Sequence, residues 1–171
     1  VSSQSLLTDE EIIISNTVKI DRTNNNIGNG GFGEVYQYYD ENKEELVAYK
    51  IYQPSVFQTS EPEIMKKRFL REGKKLLSYA HPHIVRAYDY GILGDDSAYI
   101  KMEFISGNRL SDFIIEKFPL EKSLIEKLCM QYVDAMAYIH SKTDLHRDIS
   151  YSNVMVTNNN DIKILDFGFA K

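Results

Sequence analysis

Between residues 17 and 52, short β-branched and aromatic runs alternate with turn residues, which predicts three strands: Thr17 to Ile20, Gly33 to Tyr39 and Glu45 to Tyr52. Asp40, Glu41 and Asn42 supply the second connection, so the segment reads as an antiparallel meander. From Pro62 to Tyr79 the spacing becomes helical, with Met65, Phe69, Leu76 and Leu77 apolar and Glu72 on the face of Phe69 and Leu76. A carboxylate is therefore expected to point inward. Gly73 in this helix costs about 1 kcal/mol against Ala, which implies close packing or a helix held by its neighbours. Two more strands are predicted, Ile84 to Gly91 and Ala98 to Phe104, joined by the turn-rich Gly94, Asp95, Asp96 and Ser97. The result is a five-stranded sheet with one helix.

Beyond Ser106 and Gly107 the pattern predicts a short helix from Leu110 to Lys117 and a longer one from Leu120 to His140. The apolar stripe of the longer helix is Leu120, Leu124, Leu128, Tyr132, Ala135, Met136 and Ile139, which is core material. Val154 to Val156 and Ile162 to Leu165 then alternate like a small hairpin around Asn158 to Asn160.

Composition changes this picture little. The 171 residues, 43% hydrophobic and 26% charged, suffice for a buried core. A net charge of -5 argues against a general nucleic-acid surface, which needs clustered cations, and no nucleic-acid partner is expected. The one basic cluster, Lys66, Lys67, Arg68, Arg71, Lys74 and Lys75, is expected to be mostly the solvated side of a helix. A single cysteine, Cys129, cannot form an internal disulfide and falls among the apolar positions of a helix, which fits a reducing cytoplasm. No run approaches the roughly 18 apolar residues of a membrane span, so no membrane segment is expected within these residues.

The chemistry lies in short oxygen-bearing side chains and glycines. Asp148, Asn153 and Asp166 sit within LHRDISYSN and ILDFG; such oxygen donors suit magnesium, which needs only one or two protein groups beside substrate phosphates. A loop for those phosphates is present at 28 to 35, GNGGFGEV, where Gly28, Gly30 and Gly33 leave backbone amides free of side chains. Lys50, in the apolar run VAYK, would be costly to bury alone, and Glu72 is its available partner.

In that order, these motifs resemble the protein kinase family, from about residue 17 to the last residue. The resemblance implies an α+β two-lobe fold: a linker at 1–16, an N-lobe and hinge at 17–105, and a partial C-lobe at 106–171. It implies ATP and Mg2+ as cofactors and a protein substrate, with Ser or Thr as the expected acceptor. Lys50 would hold the α- and β-phosphates and Glu72 would fix Lys50. Asp148 would accept the proton of the incoming hydroxyl or orient it, while Asn153 and Asp166 would hold magnesium. Ile27 with Gly28, Gly30 and Gly33 would form the lid. Val35, Ala48 and Met155 match the positions that sandwich adenine, Glu103 and Ile105 those that read its edge, and Met102 the guard behind the pocket. Leu76, His146 and Phe167 match the packing column of the closed site.

The sequence departs from the family at one point: Ser150, Tyr151 and Ser152 leave no cation between Asp148 and Asn153. Loss of one stabilising donor commonly costs about 3 kcal/mol. A nucleotide-binding pseudokinase or scaffold therefore stays open as an alternative, as does a small-molecule phosphotransferase of the same fold, against which Arg147 speaks. Kinase domains need on the order of 250 residues, so the chain is read as a fragment, poorly active alone.

Overall fold

The computed structural model describes residues 11–30, 33–54, 61–142 and 153–165. The chain divides into two compact units, Val1–Lys74 with Ala87–Phe104, and Lys75–Arg86 with Ile105–Lys171.

In the first unit β1 (Glu11–Ile13) pairs with β2 (Lys19–Asp21) as a two-stranded ribbon. A five-stranded antiparallel sheet is built from β3 (Asn26–Gly30), β4 (Gly33–Asp40), β5 (Glu45–Tyr52), β6 (Ala87–Ile92) and β7 (Ala98–Glu103), in the order β3-β4-β5-β7-β6. Helix α1 spans Pro62–Ser78. The central strand β5 is buried on both faces from Val47 to Tyr52, which explains an apolar run interrupted only by Lys50. Val47, Tyr49 and Ile51 join Ile12, Ile20, Tyr36 and Leu93 in one core. On the other face Tyr52 stacks near Phe69 of α1, with ring centroids 5.9 Å apart.

The sheet has five strands, but its first member is not the one expected. Thr17 to Ile20 contributes to the ribbon instead, and the glycine-rich segment 26–30 forms the edge strand. Strand propensity marks an extended segment without naming its partner; Ile20, fully buried in the core with Ile12, selects the ribbon. Likewise β1 lies inside the stretch 1–16 read as a linker. On α1, Leu77 and Ile64 face outward, while Phe69 and Leu76 are fully buried. Gly73 has a packing reason: a Cβ there would stand 2.8 Å from Tyr90 Cβ and 3.1 Å from Ile100 Cγ1.

The second unit holds β8 (Gly107–Arg109), α2 (Leu110–Lys117), α3 (Lys122–Ser141), β9 (Val154–Thr157) and β10 (Ile162–Ile164), the strands ordered β10-β9-β8. The expected hairpin is β9–β10, and β8 adds an unforeseen third strand. The segment HPHIV zips onto it: Val85 N–H donates to Ile164 O and Ile164 N–H to His83 O, both at 2.9 Å. Gln131 clamps α3 to the hairpin, donating to Asp161 Oδ1 at 2.6 Å and accepting from Ile162 N–H at 3.0 Å. Helix α3 buries Leu128, Ala135, Met136 and Ile139. Cys129, which falls among its apolar positions, is exposed. It lines an open apolar groove of about 390 Å³ with Leu110, Ile114, Ile125, Tyr132 and Val133, so α3 is apolar on two sides. Among the described residues no helix is long and apolar enough to cross a membrane.

Two outcomes test these contacts. Gly73→Ala, although Ala is the better helix former, should destabilise the protein by about 1–3 kcal/mol through overpacking against Tyr90, read as a lower urea midpoint. Asp40 accepts a hydrogen bond from Lys101 Nζ at 2.6 Å, and that bond holds its carboxyl below the usual range. Its stabilisation is complete above the unfolded carboxylate pKa of about 4 and is lost as pH falls through the lower folded value. Asp40→Asn should therefore flatten the acid side of the stability profile measured by denaturation.

Candidate functional site

Antiparallel register decides which side chains of the first unit share a face. Val35 lies opposite Lys50, and Ala48 opposite Met102, so Val35, Ala48, Lys50 and Met102 project from the same side of the sheet. Glu72 reaches this face from α1, with Lys50 Nζ donating to its Oε1 at 2.9 Å. Both side chains are only 7–8% exposed. At this depth, ion pairing offsets desolvation that neither charge could bear alone. The Phe69 ring lies 5.9 Å from Lys50 Nζ, at the outer range of a cation–π contact.

The glycine-rich segment forms the β3–β4 hairpin, with Gly28 opposite Val35 and Gly30 opposite Gly33. A bulge between Asn26 and Gly28 is closed by Gly28 N–H donating to Asn26 Oδ1 at 3.0 Å. Ile27 is 46% exposed. Gly33 is required by packing as well: a Cβ would lie 2.7 Å from Ile51 O, so only glycine lets β4 approach β5 here. Tyr36 donates its hydroxyl to Glu34 Oε2 at 2.6 Å; burial first, and Glu34 second, push the phenol up to about 12. Met102 is buried near the end of β7, and Glu103 and Phe104 are half-buried.

In the second unit Ile105 is half-buried, and Met155 lies on β9 between Lys163 and Arg109. Asn153 sits at the base of the β9–β10 hairpin, where its carbonyl accepts from Leu165 N–H at 2.8 Å. The hairpin thus brings the chain at Asn153 next to the chain at Leu165, the residue that precedes Asp166 in the sequence. Asp148 and Asp166, with His146, Ser150 and Phe167, lie outside the described residues.

One member of the basic cluster lies apart from its solvated majority. Lys67, Arg71 and Lys74 are solvent-exposed as expected, but Lys66 is 8% exposed and donates to both carboxylate oxygens of Asp96 at 2.7 Å. Its spacing gave the clue: Lys66 stands three residues before Phe69 and six before Glu72, on the inward stripe.

The buried pair can be tested by stability alone. Lys50→Met leaves Glu72 buried without its ammonium partner and should cost about 3–5 kcal/mol. Lys50→Met combined with Glu72→Leu should cost less than the single change, as read by urea denaturation.

The family model described as the protein kinase domain matches residues 22–171. Serine/threonine-protein kinase PrkC of Bacillus subtilis (strain 168) is 35% identical over 144 residues, covering 84% of this chain and 22% of that protein. Probable serine/threonine-protein kinase PknB of Lactococcus lactis subsp. lactis (strain IL1403) is 35% identical over 146 residues, covering 85% and 23%. CBL-interacting serine/threonine-protein kinase 24 of Arabidopsis thaliana is 34% identical over 148 residues, covering 84% and 31%. The chain thus spans less than a third of the length of these curated relatives. A solved structure titled PpkA-294 apo form aligns with a TM-score of 0.77 at 26% identity, covering 88% of this chain and 58% of that one.

Proposed function

This chain belongs to the protein kinase domain family, and from that premise we propose that the protein transfers the γ-phosphoryl group of ATP to a Ser or Thr hydroxyl of a protein substrate. The observation that carries the reading is the buried Lys50–Glu72 pair, set on a sheet face beside Val35, Ala48 and Met102. An ammonium fixed at 2.9 Å from a carboxylate keeps donors available for phosphate oxygens while the carboxylate sets its direction. The family implies ATP and, typically, Mg2+.

The residue roles follow the family pattern. Lys50 holds the α- and β-phosphates, and backbone amides of the Gly28, Gly30 and Gly33 hairpin cover them, with Ile27 at its edge. Val35, Ala48 and Met155 contact the adenine faces; backbone groups of Glu103 and Ile105 read its edge, and Met102 closes the pocket behind it. Asp148 accepts or orients the proton of the attacking hydroxyl. Asn153 and Asp166 would hold the metal, since their oxygen donors suit a hard cation. When bound, magnesium neutralises charge on the phosphate oxygens.

Ser150 favours a second reading, a nucleotide-binding scaffold with little transfer, because the loop lacks a cation between Asp148 and Asn153. The base and metal candidates that are retained favour catalysis. A single exposed thiol and the need for ATP suit a cytoplasmic site of action.

The test uses the full-length protein with γ-labelled ATP, alongside Asp148→Asn. Wild type should label protein, predominantly on Ser or Thr in phosphoamino-acid analysis, and Asp148→Asn should lose at least a hundredfold in rate. Equal labelling by the two would remove Asp148 from the chemistry. ATP binding without turnover at high enzyme concentration would favour the scaffold.

A further inference from the structure

Helix α1 buries Lys66, Phe69, Glu72, Gly73 and Leu76, one stripe at spacings of three and four. Two of the five are charged. Glu61, Pro62, Glu63 and Ile64, at the start of the helix, are all exposed, so apolar burial holds this half of α1 mainly through Phe69. Polar bonds make up the difference. Tyr52 donates its hydroxyl to Pro62 O at 3.2 Å, and Lys66 reaches both oxygens of Asp96 at 2.7 Å, with Glu63 an outer partner at 3.3 Å.

Asp96 lies in the turn between β6 and β7. That turn is closed by Leu93 N–H donating to Ser97 O at 2.7 Å and Asp96 N–H to Leu93 O at 3.1 Å. Asp96 has φ 67, a left-handed conformation in which Asn or Gly serves at least as well. The turn therefore does not itself require a carboxylate. The same hairpin continues along β7 to Ile100, which lies directly opposite Lys50. Both ends of α1's polar contact are thus referenced to one hydrogen-bonded sheet. Six residues separate Lys66 from Glu72, a rise of about 9 Å along the helix. One ion pair lets a helix pivot about it; two at this separation fix its angle.

We propose that the Lys66–Asp96 pair is a positioning tether, which anchors the N-terminal half of α1 to the β6–β7 turn and so keeps Glu72 against Lys50. Its effect on catalysis rests on the kinase reading above; its effect on the helix does not. Neither residue touches nucleotide in this proposal, and both act through Glu72.

The experiment uses the full-length protein with Asp96→Asn, Lys66→Met, Lys66→Arg and Glu63→Gln. Asp96→Asn keeps a residue suited to the left-handed turn while removing the charge. It and Lys66→Met should each lower kcat/KM for ATP about tenfold, with a raised KM for ATP, an unchanged KM for the protein acceptor and a urea midpoint close to wild type. Amide hydrogen exchange across residues 62–72 should quicken in both. Combining the two should cost little more than either alone, because one interaction is lost. Lys66→Arg should restore most of the activity, and Glu63→Gln should stay within about twofold of wild type. Wild-type ATP kinetics and unchanged exchange in Asp96→Asn and Lys66→Met would overturn the tether, as would an equal loss in Glu63→Gln. Absence of phosphate transfer by the wild type would instead strike the kinase reading, and the exchange measurement would still decide the tether.

Discussion

A lysine in the middle strand of a sheet and a glutamate on the helix above it have both been taken out of water, and each is stabilised there by the other, 2.9 Å away. That constraint organises the first unit. β5 must run between β4 and β7 so that Lys50 is enclosed, and α1 must come close enough for a short side chain to reach it. Gly73 permits the approach by leaving room for Tyr90 and Ile100. A pair of apolar residues would hold helix to sheet at least as well. Stability alone therefore does not account for charges at this position, which fit the phosphate-binding role proposed for Lys50.

The second unit meets a different requirement, that of placing backbone accurately without burying charge. Its short hairpin is held from several directions: His83 and Val85 pair with Ile164, Gln131 fastens the turn through Asp161 and Ile162, and Asn153 closes the open end with Leu165. Each bond is made by backbone or by an amide side chain whose donor and acceptor are both used. The chain at Asn153 and the chain at Leu165 are thereby adjacent whatever their side chains do.

Much of this was legible in the sequence because period and chemistry agreed. The helical spacing of Phe69, Glu72 and Leu76 gave both an inward face and the partner of Lys50, and the alternation flanking Asn158 to Asn160 gave the β9–β10 hairpin. What escaped was pairing at long range. Thr17 to Ile20 reads as a strand, yet nothing local says that it joins residues 11–13 instead of the main sheet. The short β8 carries a glycine, an asparagine and an arginine, and exists only because its backbone meets β9. Lys66 could not be told from its basic neighbours by charge, since a cationic run hides a member whose partner lies thirty residues away. The exposure of Cys129 was not legible either: an apolar environment along a helix does not say which of two apolar sides faces the core.

That exposed sulfur has a practical corollary. Within these 171 residues it is the sole cysteine, so any disulfide formed among them must join two molecules. Disulfide formation among such polypeptides therefore yields covalent dimers and no larger species. The same solitary thiol accepts a maleimide dye at one defined spot on α3, leaving the lysine-rich outer face of α1 chemically untouched.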